Sequence, residues 1–264
     1  MLPHLRQIAP INYPKILMNA GNTPKISIVS AFKNSGQKTL NVLESVRAQT
    51  YSNIEHCIVD GMSTDGTLEL IRSEAISNSK IVSREDRSIS EAWNTGVSLC
   101  SGDLISFQGA GDYLDPNACS LVASLYQSSG STSKAIIVGG CSRISTDGVS
   151  EPVRYNKYRR MWRPISMRFW FPSVFIPRSA FDSVGLFDEN KKIALDTDWL
   201  LRAISNGYHF LYSRHHLSME AGGISDSSWK RGYLEYLESL EKYNMMNFYD
   251  KALSKIYLHW KESR

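Results

Sequence analysis

Ile26-Ser27-Ile28-Val29-Ser30 starts just after Pro24, and Leu40, Leu43 and Val46 then recur at helical spacing. An apolar run that gives way to helical periodicity reads as a strand feeding a helix. The alternation continues outward from this point. Ile54 to Val59 is a second strand, and Thr64-Asp65-Gly66-Thr67 turns the chain into a helix carrying Leu68, Leu70 and Ile71. Lys80 to Ser83 follows as a strand, with Ile89, Ala92, Trp93 and Val97 marking another helix. Leu104-Ile105-Ser106-Phe107 is the next strand, then a helix from Pro116 to Tyr126 and a strand from Ala135 to Val138. Strands alternating with helices of this length predict an α/β fold, a mostly parallel sheet flanked by helices with right-handed crossovers. Ligands of such sheets bind beyond the carboxyl ends of the strands.

That rule selects residues. The strand ends carry Lys33-Asn34, Asp60-Gly61, Arg84-Glu85-Asp86 and Gly109-Ala110-Gly111-Asp112. All four are polar or acidic soon after an apolar run, so they are expected to converge on one cleft. A second acidic station is Asp196-Thr197-Asp198-Trp199-Leu200-Leu201-Arg202, which follows Gly185-Leu186-Phe187-Asp188-Glu189. Its spacing places two carboxylates at the first turn of a buried helix, with an arginine about one turn later. Taken alone this reads as a capping Asp and an Asp–Arg pair. Two such stations on one scaffold point instead to chemistry, because a carboxylate at a helix N-terminus is favoured in its charged, proton-accepting form.

The bulk numbers are those of a soluble globular protein: 264 residues, 42% hydrophobic, 21% charged. A net charge of +4 is too small to argue for a nucleic-acid partner. Cys57, Cys100, Cys119 and Cys141 have no C-x-x-C spacing, which suits free thiols in a reducing compartment. No apolar run reaches the roughly 18 residues of a membrane span. The proline-broken residues 1–24 do not resemble a secretory signal, so a cytoplasmic location is expected. Past residue 141 the pattern weakens. Arg154 to Arg168 holds Arg154, Lys157, Arg159, Arg160, Arg163 and Arg168 without an acid, interleaved with Tyr155, Tyr158 and Trp162. It is either a solvated loop or a lid for anions and flat rings. Residues 229–264 read as one or two helices packed on the domain, with contact to the inner face of a membrane as the alternative. The expected organisation is an N-terminal extension (1–24), one catalytic domain (25–225) and a helical tail (226–264).

Several short motifs in order now carry a family resemblance. They are Ile26 to Asn34, Ser45-Val46-Arg47-Ala48-Gln49-Thr50-Tyr51 and Ile58-Val59-Asp60-Gly61-Met62-Ser63-Thr64-Asp65-Gly66-Thr67. Glu85-Asp86, Glu91-Ala92-Trp93-Asn94-Thr95-Gly96 and Gly102 to Phe107 follow. Pro172-Ser173-Val174-Phe175, Gly185 to Glu189, Asp196 to Arg202 and Gly222-Gly223-Ile224-Ser225 complete the set. Together they resemble glycosyltransferase family 2 across roughly residues 25–225.

The resemblance implies a GT-A-like nucleotide-sugar-binding fold and sugar transfer with inversion. Asp60 would read the base or ribose, flanked by Lys33 and Asp86. Asp112 would be the last acid of the metal motif, holding Mg²⁺ or Mn²⁺, and Asp196 the catalytic base. The expected partners are a nucleotide sugar, UDP-linked by preference, and a glycan or lipid-linked acceptor of surface polysaccharide assembly.

Two departures qualify this. Glycines stand at Gly109 and Gly111 where the family usually has acids, which leaves one carboxylate for a cation or gives the diphosphate to the basic segment. Gly61 replaces a second acid and leaves the base open. His215 and His216 are candidates for a late metal ligand, with a structural role on a strand the commoner alternative. A weakened nucleotide-sugar or glycan-binding protein of the same fold is the competing function. A dinucleotide oxidoreductase is disfavoured, because Phe32-Lys33-Asn34-Ser35-Gly36 is no G-x-G-x-x-G loop.

Overall fold

The computed structural model describes residues 23–130, 134–145, 148–152, 170–223 and 228–263. The first half alternates as the periodicity predicts: β1 (Ile26–Phe32), α1 (Lys38–Arg47), β2 (Ile54–Asp60), α2 (Thr67–Glu74), β3 (Lys80–Ser83), α3 (Ile89–Leu99) and β4 (Leu104–Gln108). The second half mixes short strands and helices: β5 (Asp112–Leu114), α4 (Ala118–Ser128), β6 (Ala135–Ile144), β7 (Ser150–Pro152), β8 (Val174–Pro177), α5 (Ser179–Val184), α6 (Leu195–Ser205) and β9 (His209–Glu220). Two helices, α7 (Trp229–Lys242) and α8 (Phe248–Glu262), close the chain.

The strands form one sheet in the order β3-β2-β1-β4-β8-β6-β9-β5, with β7 on β6. Pairing is parallel from β3 through β4. It turns antiparallel at β4–β8, β8–β6 and β9–β5, while β6 and β9 run parallel. So the parallel part lies where the βαβ pattern put it, and the rest of the sheet is mixed.

Burial explains the contrast in legibility between the halves. Every residue of β2 is buried, and so is every residue of β4; strands covered on both faces read as apolar-rich runs, here interrupted by Glu55, His56 and Ser106. β9 is long but carries Arg214, His215 and His216 and leaves Tyr212 64% exposed. Its pattern is too polar to announce a strand.

The helices cover both faces of the sheet. On one side α1 and α4 pack through Val42, Leu43, Val46 and Val122 on Ile28, Ile58 and Leu114. On the other, Trp199 and Leu200 of α6 join Phe107, Phe171, Phe181 and Phe187. Trp93 stacks on Phe171 at 5.3 Å within this aromatic group.

At the amino ends of β1 and β2 a buried acid, Glu55, is fully engaged. Lys25 and Lys80 pair with it at 2.7 and 3.1 Å, and Ser27 and Ser101 donate to it. Burial alone would raise its carboxyl, but the bonds from Lys25, Ser101 and Ser27 pull it well below the usual carboxylate range.

Candidate active site

Register sets the site. Phe32 lies beside Asp60, and Asp60 beside Ser83, so β1, β2 and β3 finish level with one another. The loops beyond them are stitched together. Asn34 N–H donates to Ser63 Oγ at 2.9 Å, and Thr64 N–H donates back to Asn34 Oδ1 at 2.9 Å.

Asp60 is wholly buried. Ser83 Oγ donates to its Oδ2 at 2.7 Å, and the Ser63 amide to both oxygens at 3.2 and 3.3 Å. Lys33, exposed, lays its stem over Gly61, where a Cβ would stand 3.1 Å from Lys33 Cδ. This accounts for the glycine after Asp60: a side chain there would displace the lysine.

Asp86 is the anomaly. Its side chain is 5% exposed, with Arg84 Nε 3.5 Å from Oδ1, yet neither oxygen has a hydrogen-bond partner. Burial raises its carboxyl above the ordinary range, and Lys33 and Asp60 are both close enough to act on its charge. The structure therefore brings Lys33, Asp60 and Asp86 together. Where Glu55 is saturated with donors, Asp86 keeps two acceptor oxygens unused, which is costly unless a ligand supplies the missing donors.

The loop from Gly109 to Asp112 folds on itself. Gly109 N–H donates to Asp112 Oδ2 at 2.6 Å, and Asp112 N–H to the Gly109 carbonyl at 3.0 Å. Gly111 has φ +88°, and a Cβ there would lie 3.2 Å from Glu220 Cβ. An acid at 111 would be strained in that backbone region, so the departure from the family motif is built into the turn.

Glu220, at the end of β9, is a neighbour that sequence reasoning missed. Asn41 Nδ2 donates to it at 2.9 Å, and Lys38 Nζ pairs with it at 3.1 Å. Asp112 is pushed up to about 7, first by burial and further by Glu220. The signals were present as the polar start of α1 and the acid before Gly222-Gly223, but only pairing of β5 with β9 joins them.

No group of three His, Cys, Asp or Glu among the described residues is arranged to hold a metal ion. His215 is buried, its Nε2 2.9 Å from the Ser173 carbonyl oxygen, and His216 Nε2 is 2.9 Å from Ser142 Oγ. Both are engaged within the sheet. Asp112 and Glu220 remain as two acids close enough for Glu220 to act on the charge of Asp112, with Lys38 paired to Glu220. That set suits a cation whose other ligands are phosphate oxygens and water, the usual arrangement for Mg²⁺.

Asp196 is half-buried in the first turn of α6. The Thr197 amide donates to its Oδ1 at 2.7 Å. Burial raises its carboxyl, against the opposing bonds from Thr197, so desolvation outweighs the helix N-terminus here. The cap of α6 is Ala194, and the acid paired with Arg202 is Asp198, at 3.8 Å. Asp198 is wholly buried and accepts from Ser239 Oγ at 2.7 Å. The two carboxylates thus divide: Asp198 is structural, and Asp196 lacks that assignment.

The segment leading into α6 is tied to α3. Ser90 Oγ donates to the Lys191 carbonyl at 2.8 Å, while Asn94 accepts from Phe187 N–H and donates to its carbonyl. This draws the start of α6 toward the first turn of α3, the helix that follows β3. The basic segment Arg154 to Arg168 lies outside the described residues.

The curled mixed sheet with its flanking helices is the GT-A glycosyltransferase fold. It aligns with Staphylococcus aureus TarS residues 1–349 in complex with UDP-GlcNAc at a TM-score of 0.65 and 18% identity, covering 83% of this chain and 65% of that one. It aligns with the Pyrobaculum calidifontis mannosyltransferase PcManGT, in complex with GDP-Man and Mn²⁺, at 0.62 and 17% identity, covering 97% and 76%. The sequence matches Glycosyl transferase family 2 over residues 27–183, and the chain belongs to that family. A Mycobacterium bovis PGL/p-HBAD biosynthesis glycosyltransferase is 25% identical over 224 residues, 81% of this chain and 84% of the relative. The chain spans only 15% of another relative, Escherichia coli chondroitin synthase, to which it is 32% identical over 100 residues.

Proposed function

We propose that this protein transfers a sugar, with inversion, from a nucleotide sugar to a hydroxyl of a glycan or lipid-linked acceptor in surface polysaccharide assembly. The observation that carries the reading is Asp86: a buried carboxylate with no hydrogen bond to either oxygen, set beside Asp60 and Lys33 where a nucleoside would lie. Ribose hydroxyls or a base N–H would supply the missing donors. UDP-sugars are the favoured donors, in keeping with the ligand of the TarS complex.

In this reading Lys33, Asp60 and Asp86 hold the nucleoside. Asp112, with Glu220 near it, would hold Mg²⁺ or Mn²⁺, and the cation would supply neutralisation of charge on the departing diphosphate. Asp196 takes the proton from the acceptor hydroxyl as the new C–O bond forms. The old bond's electrons leave with the nucleoside diphosphate, and one displacement inverts the anomeric carbon. The catalytic unit is residues 25–225, with 1–24 an extension and 226–264 a tail.

A screen of UDP-, GDP-, dTDP- and CMP-sugars tests this, with and without Mg²⁺ or Mn²⁺. UDP-sugars are expected to raise the melting temperature, since a ligand of the folded form stabilises it, and the bound one to be turned over to UDP. Gly109 and Gly111 favour a second reading, a binding protein of the same fold. Binding without any release of nucleoside diphosphate, whatever the metal, would select it.

The tail is proposed to rest on the cytoplasmic face of a membrane. No helix among the described residues is long and apolar enough to cross one, but α8 exposes Phe248 (79%), Tyr249 (76%) and Ile256 (56%). Lys251 and Lys255 border these residues and are also exposed. Such a helix lies in the interface plane. Vesicles rich in phosphatidylglycerol are expected to co-sediment the protein, and Phe248→Ser with Ile256→Ser to lower that partition at least about tenfold. Unchanged sedimentation would reject the contact.

A further inference from the structure

Helix α6 begins without a cap of its own: Ala194 occupies the N-cap position and offers no side-chain acceptor. The acceptor comes from forty residues downstream in α7. Glu235, 9% exposed, accepts from three successive amides, Lys192 at 3.1 Å, Ile193 at 2.9 Å and Ala194 at 3.0 Å. Arg231 Nε donates to its other oxygen at 2.9 Å. Consecutive backbone N–H groups pointing inward form a concavity that selects an anion, and here the anion is part of the protein.

We infer that Glu235 is a positioning residue for the transfer, fixing from the C-terminal helix pair where α6 begins and hence where Asp196 stands. The inference rests on the reading of Asp196 as the base.

Neighbouring contacts give the clamp its direction. Lys191, 5% exposed, reaches from the same segment to Glu238 at 2.6 Å and to the Glu235 carbonyl at 3.2 Å. Ser239 of α7 holds Asp198. On the opposite side Ser90 and Asn94 of α3 hold Lys191 and Phe187. Residues 187–194 are thus gripped between a helix of the nucleotide-binding half and a helix beyond the residues that match the family. Burial alone would raise the Glu235 carboxyl, but the bonds from Ala194, Ile193, Arg231 and Lys192 bring it below the usual range. The carboxylate is charged as it grips. Asp196 lies two positions after Ala194, so freedom at the amides becomes displacement at the reacting oxygen.

Two measurements on the full chain test this. Glu235→Gln is expected to lower kcat about ten- to a hundredfold, the scale of a misplacement near 1 Å. The KM for the nucleotide sugar that wild type turns over should stay constant, because Lys33, Asp60 and Asp86 are untouched. Glu235→Asp should recover part of the loss. Hydrogen exchange at the Thr197 and Asp198 amides should quicken in Glu235→Gln, a readout that needs no substrate.

Leu240→Ala serves as the stability control. Leu240 is fully buried in the cluster of Ala194, Leu201 and Tyr236 but makes no hydrogen bond to the 192–194 amides, so that variant should melt earlier with wild-type kcat. If Glu235→Gln keeps wild-type kcat and exchange, or if Leu240→Ala loses kcat equally, the inference falls. An active Asp196→Asn would instead remove the base assignment, and the exchange result would still decide whether Glu235 fixes the start of α6.

Discussion

Asp196→Asn is expected to lower turnover about a hundred- to ten-thousandfold, the range that a positioned general base supplies, with affinity for the nucleotide sugar nearly unchanged. The side chain keeps its shape and can still accept from Thr197, so a structural collapse is not the expected cause. What it loses is the capacity to take a proton. The sugar donor is bound by other residues, so calorimetry with the same nucleotide sugar should give the wild-type constant. Burial raises the Asp196 carboxyl above its ordinary value, and a base works only when ionised. The wild-type rate is therefore expected to climb with pH through a range above that of a free carboxylate, and residual Asp196→Asn activity to lack that limb. A variant with full activity would dismiss Asp196 as the base.

Stability should run the other way with pH. Asp112 is held at about 7, against 3.8 for a free aspartate. Between those values the folded chain keeps a proton that the unfolded chain has released. Stability from this group is therefore present below about pH 4 and is lost as pH rises toward 7. A bound cation beside Asp112 would lower its carboxyl and flatten that loss.

The sequence showed the first half of the fold because the parallel strands are covered on both faces. Ile26, Ile28, Ile58 and Leu104 are wholly buried and anchor short apolar-rich runs that end in polar loops. Those loops carry Lys33, Asp60, Asp86 and Asp112, which made this part of the candidate site legible. β5, β7 and β8 have three or four residues each, too few for a period to appear. The roles of Glu220 and Glu235 depend on partners far along the chain: Lys38 and Asn41 for one, the 192–194 amides for the other. The polar start of α1 and the acid before Gly222-Gly223 are visible one by one, but only the folded chain joins them, and no local pattern marks Glu235. The division of labour between Asp196 and Asp198 was hidden for the same reason, since Ser239 and Tyr243, which hold Asp198, come from α7.

Asp86→Ala should move stability and function in opposite directions. In the free protein the carboxylate is buried with no hydrogen bond to either oxygen, and Arg84, 48% exposed at 3.5 Å, is a screened partner worth little. Removing an unsatisfied buried group relieves a penalty of about 1–3 kcal/mol, less what Arg84 returns and what the small void costs. A net rise in melting temperature is therefore expected near neutral pH. The raised carboxyl fixes the pH dependence: below the unfolded value both states are protonated and the advantage vanishes, and it grows as pH rises through the folded value. Binding should suffer. A charge-assisted bond to a ribose hydroxyl or base N–H contributes about 1.5–3 kcal/mol, so affinity for the nucleotide should fall about ten- to a hundredfold. Melting curves at pH 4 and pH 7.5, with calorimetry against UDP, read both effects. A protein that melts lower at neutral pH and binds UDP as wild type would mean that Asp86 is a structural acid and that the nucleoside lies elsewhere.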